Sequence, residues 1–112
     1  MNTESLAALF KTLSEPVRLR IVYLLLESGE LCVCDLVETL GLSQSVVSRH
    51  LAYLRNNGLV STRREGVWVH YRIVEGCCVP LFEHIRQCGE DNAEMQSDLA
   101  RLAANGQQQK CG

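Results

Sequence analysis

The segment LCVCDLVETLGLSQSVVSRHLAYLRNNGLVSTRREGVWVHYRI, residues 31–73, decides the fold. Its first part predicts a short helix from about 33 to 40 that ends at Gly41. Ser43 can then cap a longer helix, which ends at residues 56–58 and carries apolar side chains on one side: Val46, Val47, Leu51 and Leu54. A short helix, a turn of about three residues and a longer helix predict a helix-turn-helix.

A hairpin follows this pair of helices. Residues 59–64 and 67–73 flank Glu65-Gly66, and the second run alternates apolar with polar side chains. Alternation beside a glycine turn is typical of a β-hairpin. A hairpin directly after a helix-turn-helix predicts the winged form of that motif.

The flanking regions are helical in pattern. We expect a first helix over about 3–12. A second helix should be capped by Ser14, contain Pro16 in its first turn and end at Gly29. A last helical region covers about 78–104, with Gly89 as a candidate break. The predicted class is mainly α with a β-hairpin, in the order α-α-α-α-β-β-α. A chain of 112 residues suits one winged helix-turn-helix domain for DNA binding and dimerisation, over 1–104, with a flexible tail over 105–112.

The distribution of charge favours a nucleic-acid partner. A formal net charge of −2 excludes a uniformly basic protein, and 46% hydrophobic residues exclude a disordered chain. Residues 43–72, however, contain five arginines and only one acid, Glu65, which gives that stretch a charge of +4. Such asymmetry predicts a local basic face for phosphates.

Polar side chains on the second helix of the motif and on the hairpin are the candidate contacts to double-stranded operator DNA. Hydroxyl, amide and guanidinium groups can bond base edges or phosphates, and the first turn of the helix would enter the major groove. An alternative is a merely solvated face, with one serine acting only as a cap and the histidine packed on the scaffold. The predicted DNA-binding residues are Ser43, Gln44, Ser45, Ser48, Arg49, His50, Arg55, Arg63 and Arg64.

Six cysteines are many for this length. No signal peptide or membrane segment is visible, so we expect a cytoplasmic protein without membrane contact, where grouped thiols bind metals or sense oxidation more often than they form disulfides. Cys32 and Cys34 are the first candidate metal ligands, and the alternative is two small buried side chains. A second candidate site combines Cys77, Cys78 and Cys88, while Cys111 lies in the tail.

Four segments of the chain resemble the ArsR/SmtB family of metalloid- and metal-responsive repressors. They are the heptapeptide ELCVCDL at 30–36, the helix at 43–59, the hairpin RREG at 63–66 and the segment LSEPVRLRI at 13–21. The resemblance covers about residues 5–85. It implies a homodimeric repressor of an arsenic-resistance operon, not an enzyme. Such a repressor requires no cofactor and leaves its operator when arsenite or antimonite binds. Cys32 and Cys34 resemble the arsenite-binding motif of the arsenic-sensing branch.

The sequence departs from the family at several positions. Val37 stands where members of the arsenic-sensing branch often have a third cysteine, and no cysteine precedes Cys32 as in lead- and cadmium-sensing relatives. The last helix carries only His84 and scattered acids instead of the zinc-sensing motif. The third ligand of the metalloid is therefore open: water or hydroxide, Cys77 or Cys78, or a thiol of a partner subunit.

Spacing limits how Cys32 and Cys34 could share one ion. On a regular helix they would point about 200° apart. Either Cys32 precedes the helix in extended backbone, or ion binding unwinds the first turn. Unwinding would displace the DNA-reading helix that follows.

Three other functions are considered. One is a redox- or persulfide-responsive repressor, and the second is a cadmium-, lead- or zinc-responsive repressor of the same fold. A thiol enzyme is the least supported, because the chain lacks a Cys-x-x-Cys motif, a glycine-rich phosphate loop and a His–Glu hydrolase motif. Apolar residues at both ends could form a dimer interface or the core of one chain: Leu6, Leu9, Phe10, Leu81, Phe82, Ile85, Leu99 and Leu102.

Overall fold

The computed structural model describes residues 1–106, except for the side chain of Cys77. Its helices are α1 (Thr3–Leu13), α2 (Pro16–Ser28), α3 (Val33–Leu40), α4 (Gln44–Asn56), α5 (Val79–Glu90) and α6 (Ala93–Gly106). Its strands are β1 (Leu31–Cys32), β2 (Val60–Glu65) and β3 (Trp68–Ile73), and one 3₁₀ turn, Gly76–Cys78, precedes α5. The predicted class, a mainly helical winged helix-turn-helix, is confirmed.

Helix α2 forms the centre of the core. Five successive residues of this helix, 21–25, are at most 1% exposed, so the helix is enclosed on nearly all sides. The apolar sides of α3 and α4 pack on this core through Leu36, Val47, Leu51 and Leu54, which are fully buried. The helix-turn-helix therefore lies on α2, and the polar side of α4 remains open to solvent.

The wing is a three-stranded antiparallel sheet in the order β1-β3-β2. Strands β2 and β3 pair from Val60 opposite Ile73 to Glu65 opposite Trp68. The turn between them places Gly66 at φ 62°, in the left-handed region that favours glycine. The predicted hairpin is confirmed, and β1 adds a short third strand in which Cys32 lies opposite His70.

The helical region at the C-terminal end forms two helices, and the break lies just after Gly89, the candidate position. The break falls after Glu90, where the Asn92 side chain accepts a hydrogen bond from the Met95 backbone N–H at 3.0 Å. Gly89 lies inside α5 and contacts the Tyr23 ring so closely that a Cβ there would collide with it. The chain turns because α6 folds back to pack against α2 and α3.

Helix boundaries follow most of the predicted signals. Gly41 ends α3 in the left-handed conformation, and Ser43 caps α4, as predicted. The predicted cap of α2 is wrong: Ser14 ends α1, because that helix continues to Leu13, and the Glu15 carboxylate accepts the Arg18 N–H at 3.0 Å.

The ends and helix lengths complete the description. Within residues 1–106, every helix is too short or too polar to cross a bilayer. Helix α6 continues to Gly106, two residues past the predicted domain limit. Most of the predicted tail, 107–112 with Cys111, lies outside the described residues.

Candidate DNA interface and thiol site

Helix α4 presents a polar side away from the core. The Ser43 hydroxyl accepts the Val46 N–H at 3.3 Å, so the helix begins with a satisfied cap. The side chains of Gln44, Ser45 and Arg49 are exposed, whereas Val47 of the same helix is buried. These three predicted residues are thus placed together at the N-terminal half of the helix, in the position that a recognition helix offers to a groove.

His50 points towards α2, unlike those three residues. Its Nδ1 lies 3.2 Å from Arg18 Nη1, and its Nε2 lies 4.0 Å from a carboxylate oxygen of Glu15. Ser48 is half-buried, whereas Arg55 is exposed in the last turn of α4. The packing of His50 agrees with the alternative considered for it, and its contact with DNA stays a prediction.

Arg18 is a structural residue that the sequence interpretation missed. Its Nε donates to the Thr12 carbonyl at 2.7 Å, and its guanidinium carbon lies 4.1 Å from the centre of the Tyr53 ring. Because it also contacts His50, this buried cation joins the end of α1, the start of α2 and the middle of α4. The sequence did contain a signal for this role, because an arginine within the apolar run of α2 is unusual.

The two neighbouring arginines of β2 have different surroundings. Arg63 donates to both carboxylate oxygens of Glu30, at 3.1 and 2.6 Å, and these hydrogen bonds hold the pKa of Glu30 below its ordinary value. Arg64 is exposed, and within residues 1–106 it has no ion-pair partner. Of these two, Arg64 is therefore the cation that is available to a phosphate.

Cys32 lies in extended backbone before the helix that carries Cys34. It is the last residue of β1 and the N-cap of α3, with φ −92° and ψ 167°. Its N–H donates to Asp35 Oδ2 at 3.1 Å, and its sulfur lies 3.3 Å from the same oxygen. Of the two arrangements open from the sequence, the structure has the extended one.

The two thiols differ in redox state and exposure. Cys32 is buried and disulfide-bonded in this structure, so a metalloid can take its sulfur only after reduction. Cys34 is a half-buried free thiol in the first turn of α3.

A cavity of about 240 Å³ connects the cysteine region with the start of α4 and with the wing. On one side it is formed by the start of α3, and on the other by the tip and third strand of the wing. The first residue of α4 completes it. Its lining residues are Cys32, Val33, Cys34, Gln44, Val67, Trp68, Val69 and Tyr71.

The described residues do not supply a complete metal site around the two cysteines, and the disulfide partner of Cys32 is not one of the free thiols Cys34, Cys78 and Cys88. Among the described side chains, no group of three or more His, Cys, Asp or Glu residues is placed to hold a metal ion. Val37 packs against the core. The predicted second site stays a prediction, because the Cys77 side chain lies outside the described residues; Cys88 is exposed on α5 with its sulfur 3.5 Å from His84 Nε2.

A buried ionic cluster joins α6 to the helix-turn-helix. Arg20 donates two hydrogen bonds of 2.9 Å to the Asp98 carboxylate, which raises the pKa of Arg20, and Arg101 adds a third bond to Asp98 at 2.6 Å. Arg101 also donates to the Thr39 carbonyl at 2.8 Å, at the end of α3. The Asp98 side chain is 1% exposed and that of Arg20 is 15% exposed, so this pair is buried, whereas Arg101 is 47% exposed.

Comparisons with known proteins agree with this architecture. The family described as "Bacterial regulatory protein, arsR family" matches residues 15–62. The arsenical resistance operon repressor of Escherichia coli K12 is 42% identical over 102 residues, which are 88% of this chain and 87% of that repressor.

Two solved structures share the fold. The antimony-specific repressor AntR has a TM-score of 0.65 at 36% identity and covers 81% of both chains. The homodimeric winged helix-turn-helix domain of Mb0332 from Mycobacterium bovis has a TM-score of 0.68 at 30% identity and covers 80% of this chain and 82% of its own.

Proposed function

Because the chain belongs to the arsR family of bacterial regulatory proteins, we propose that it represses an arsenic-resistance operon and leaves its operator when trivalent arsenic or antimony binds Cys32 and Cys34. The family resemblance found in the sequence is confirmed. Proteins of this family are transcriptional regulators that bind DNA through the helix-turn-helix, and they are not enzymes.

The cavity between α3, α4 and the wing is the observation that carries this proposal. One end of it is formed by the two cysteines, and Gln44 and Trp68 lie on its other walls. A metalloid held by the sulfurs would therefore contact the first turn of α4 and the wing directly. Displacing both elements would lower DNA affinity by a coupling free energy of about 1–3 kcal/mol, which is typical of allosteric proteins.

The chemistry of the two sulfurs favours trivalent metalloids. Arsenic and antimony in this state are soft acceptors that prefer thiolates to oxygen or nitrogen ligands. Cys32 is an N-cap residue in extended backbone, so its side chain does not follow the angular spacing of side chains on the helix. It can therefore turn towards Cys34 more freely than a helical residue could. Hydroxide, or a thiol of the partner subunit, would complete the coordination of inorganic arsenite.

Dimerisation through α1 and α5 is part of the proposal. Phe10 is 55% exposed and Leu6 is 44% exposed, and together with Leu81 they line an apolar hollow of about 240 Å³. A second copy would bury this surface, as the homodimeric relative suggests. Other residues of the predicted interface, Leu9, Phe82 and Ile85, are buried within the chain instead.

The test of the proposal is arsenite-driven release of operator DNA from the reduced protein. A binding duplex is first selected from random sequences, and a phosphine keeps Cys32 reduced. We expect arsenite to release the wild-type protein from its DNA. The double variant Cys32→Ser/Cys34→Ser should require an arsenite concentration at least about 100-fold higher, because both sulfur ligands are lost. Cys88→Ser is the matched control, and it should behave as wild type.

Other inducers separate the alternatives in the same assay. Release of the double variant at the wild-type arsenite concentration would overturn the proposal. Release by peroxide but not by arsenite would favour a redox-responsive repressor, and release by cadmium or zinc alone would favour a metal-responsive one.

The two arginines of β2 give a second prediction. Arg64→Ala should weaken operator binding and reduce the slope of log K against log salt by about 0.9, the value for one phosphate contact. Arg63→Ala should change the slope much less, because Glu30 already neutralises Arg63. Equal losses of slope in the two variants would show that Arg63 exchanges Glu30 for phosphate on DNA.

A further inference from the structure

We infer that Glu30 is a positioning residue, which transmits the displacement of Cys32 on inducer binding to strand β2 of the wing. The inference rests on the proposed function, since it begins with an inducer on Cys32. It goes beyond that function by naming the contact through which the inducer acts on the wing, separately from its effect on α4.

Glu30 connects the two outer strands of the three-stranded sheet. The strand order is β1-β3-β2, and Glu30 directly precedes β1, whereas Arg63 lies in β2. The Glu30 carboxylate accepts hydrogen bonds of 3.1 and 2.6 Å from Arg63, so this contact passes across β3. A bidentate pair of an arginine and a carboxylate fixes the direction of the contact as well as its length. A shift of the chain at Glu30 is therefore transmitted directly to β2.

The candidate metal ligand Cys32 lies two residues after Glu30, at the end of the short strand β1. Cys32 is opposite His70 in the sheet, and His70 is in turn opposite Arg63. Side chains that are directly opposite each other in an antiparallel sheet project from the same face, so Cys32 and Arg63 share one face. An ion held jointly with Cys34 would draw Cys32 towards α3. Because β1 has only two residues, Glu30 would move with it.

The other end of this connection is a residue of the candidate DNA interface. Arg64 directly follows Arg63 in β2 and is exposed, and within residues 1–106 it has no ion-pair partner. A displacement of Arg63 would therefore move Arg64 as well. The expected consequence is that the inducer removes one phosphate contact at the wing, in addition to its effect on α4.

Glu30→Gln tests the inference, because it keeps the size of the side chain and removes the charge that holds Arg63. Operator affinity of the reduced full chain is measured with and without saturating arsenite, over a range of salt concentrations. In the wild type we expect arsenite to lower the affinity about 5- to 150-fold, and the slope of log K against log salt by about 0.9. In Glu30→Gln the loss of affinity should be at least about threefold smaller, which one partly exposed ion pair can supply, and the slope should not change.

Two controls separate transmission through β1 from a general effect of charge. Glu65→Gln removes a carboxylate oxygen 3.7 Å from Arg63 that belongs to β2 itself, so this variant should respond to arsenite as the wild type does. Trp68 is the only tryptophan and lines the cavity. Its fluorescence, without DNA, should give the same arsenite affinity for Glu30→Gln as for the wild type. Urea midpoints of all variants are compared to exclude a loss of folding.

Arg63→Gln completes a double-mutant cycle with Glu30→Gln. Because both single changes break the same ion pair, each should reduce the effect of arsenite on operator affinity by the same factor. The double variant Glu30→Gln/Arg63→Gln should reduce it no further. Two independent effects on the fold would instead add.

The outcomes distinguish the inference from the proposed function. Wild-type losses of affinity and slope in Glu30→Gln would overturn the inference and leave the proposed function standing, and so would additive effects of the two single variants. An equal reduction in Glu65→Gln would also overturn it, because the charge beside Arg63, and not the contact with the chain before β1, would then be responsible. Failure of arsenite to release the wild-type protein would overturn the proposed function and the inference together.

Discussion

Replacing Asp98 with alanine is expected to destabilise the protein by about 3–5 kcal/mol, the usual cost of removing one partner of a buried ion pair. Asp98 accepts hydrogen bonds from both Arg20 and Arg101, and its side chain is almost fully buried. Without it, the Arg20 guanidinium would remain largely buried and lose its main hydrogen-bonding partner. Urea denaturation at one fixed protein concentration, with the midpoint and slope compared, measures the loss.

Glu94 provides a matched control on the same helix. Its carboxylate lies 3.6 Å from Arg20 and is 63% exposed, so Glu94→Ala should cost less than about 1 kcal/mol. A similar small cost for both variants would contradict the role given to the buried cluster. We also expect Asp98→Ala to weaken operator binding at temperatures where it remains folded, because Arg101 would no longer be held at the end of α3.

Replacing Arg18 is the second change with a large expected effect. Arg18→Lys keeps the charge but cannot bond the Thr12 carbonyl, contact His50 and cover the Tyr53 ring at once. We expect a loss of roughly 2 kcal/mol in stability and about tenfold in operator affinity, because α4 would lose its attachment to α1 and α2. Denaturation and operator titration of the same preparation measure both effects.

Tyr53→Phe is the control for this prediction. It keeps the ring face below the guanidinium, so both stability and operator affinity should stay near wild type. If Arg18→Lys reduced stability but left operator affinity at the wild-type value in the folded protein, Arg18 would be a core residue without influence on DNA reading.

Local signals predicted the central part of the fold. Gly41 and Ser43 mark the turn of the helix-turn-helix, and the alternation at 67–73 predicts the hairpin, because each signal depends only on neighbouring residues. Strand β1 was missed, since two residues show no periodicity and form a strand only by pairing with β3. A break before α6 was expected at Gly89, but its place at Asn92 was missed because helical spacing continues past Gly89.

The candidate site was predicted less completely. The cysteine pair and the exposed polar side of α4 are visible in the sequence, because spacing alone marks them. The cavity is not, since Trp68 and Tyr71 reach it through the pairing of β1 with β3. The ion pair between Glu30 and Arg63 and the burial of Asp98 could not be predicted either, because both depend on contacts between distant segments.

The cavity also has an evolutionary consequence. Every residue that lines it falls between 32 and 71, whereas the exposed apolar surface of Leu6 and Phe10 belongs to α1. Under the proposed function, inducer preference and choice of dimer partner are encoded in separate parts of the chain. Paralogues within one cell could therefore diverge in the compound they detect while keeping their pairing, or diverge in pairing while keeping the compound. Exchange of this one continuous stretch between relatives would transfer detection and operator reading together.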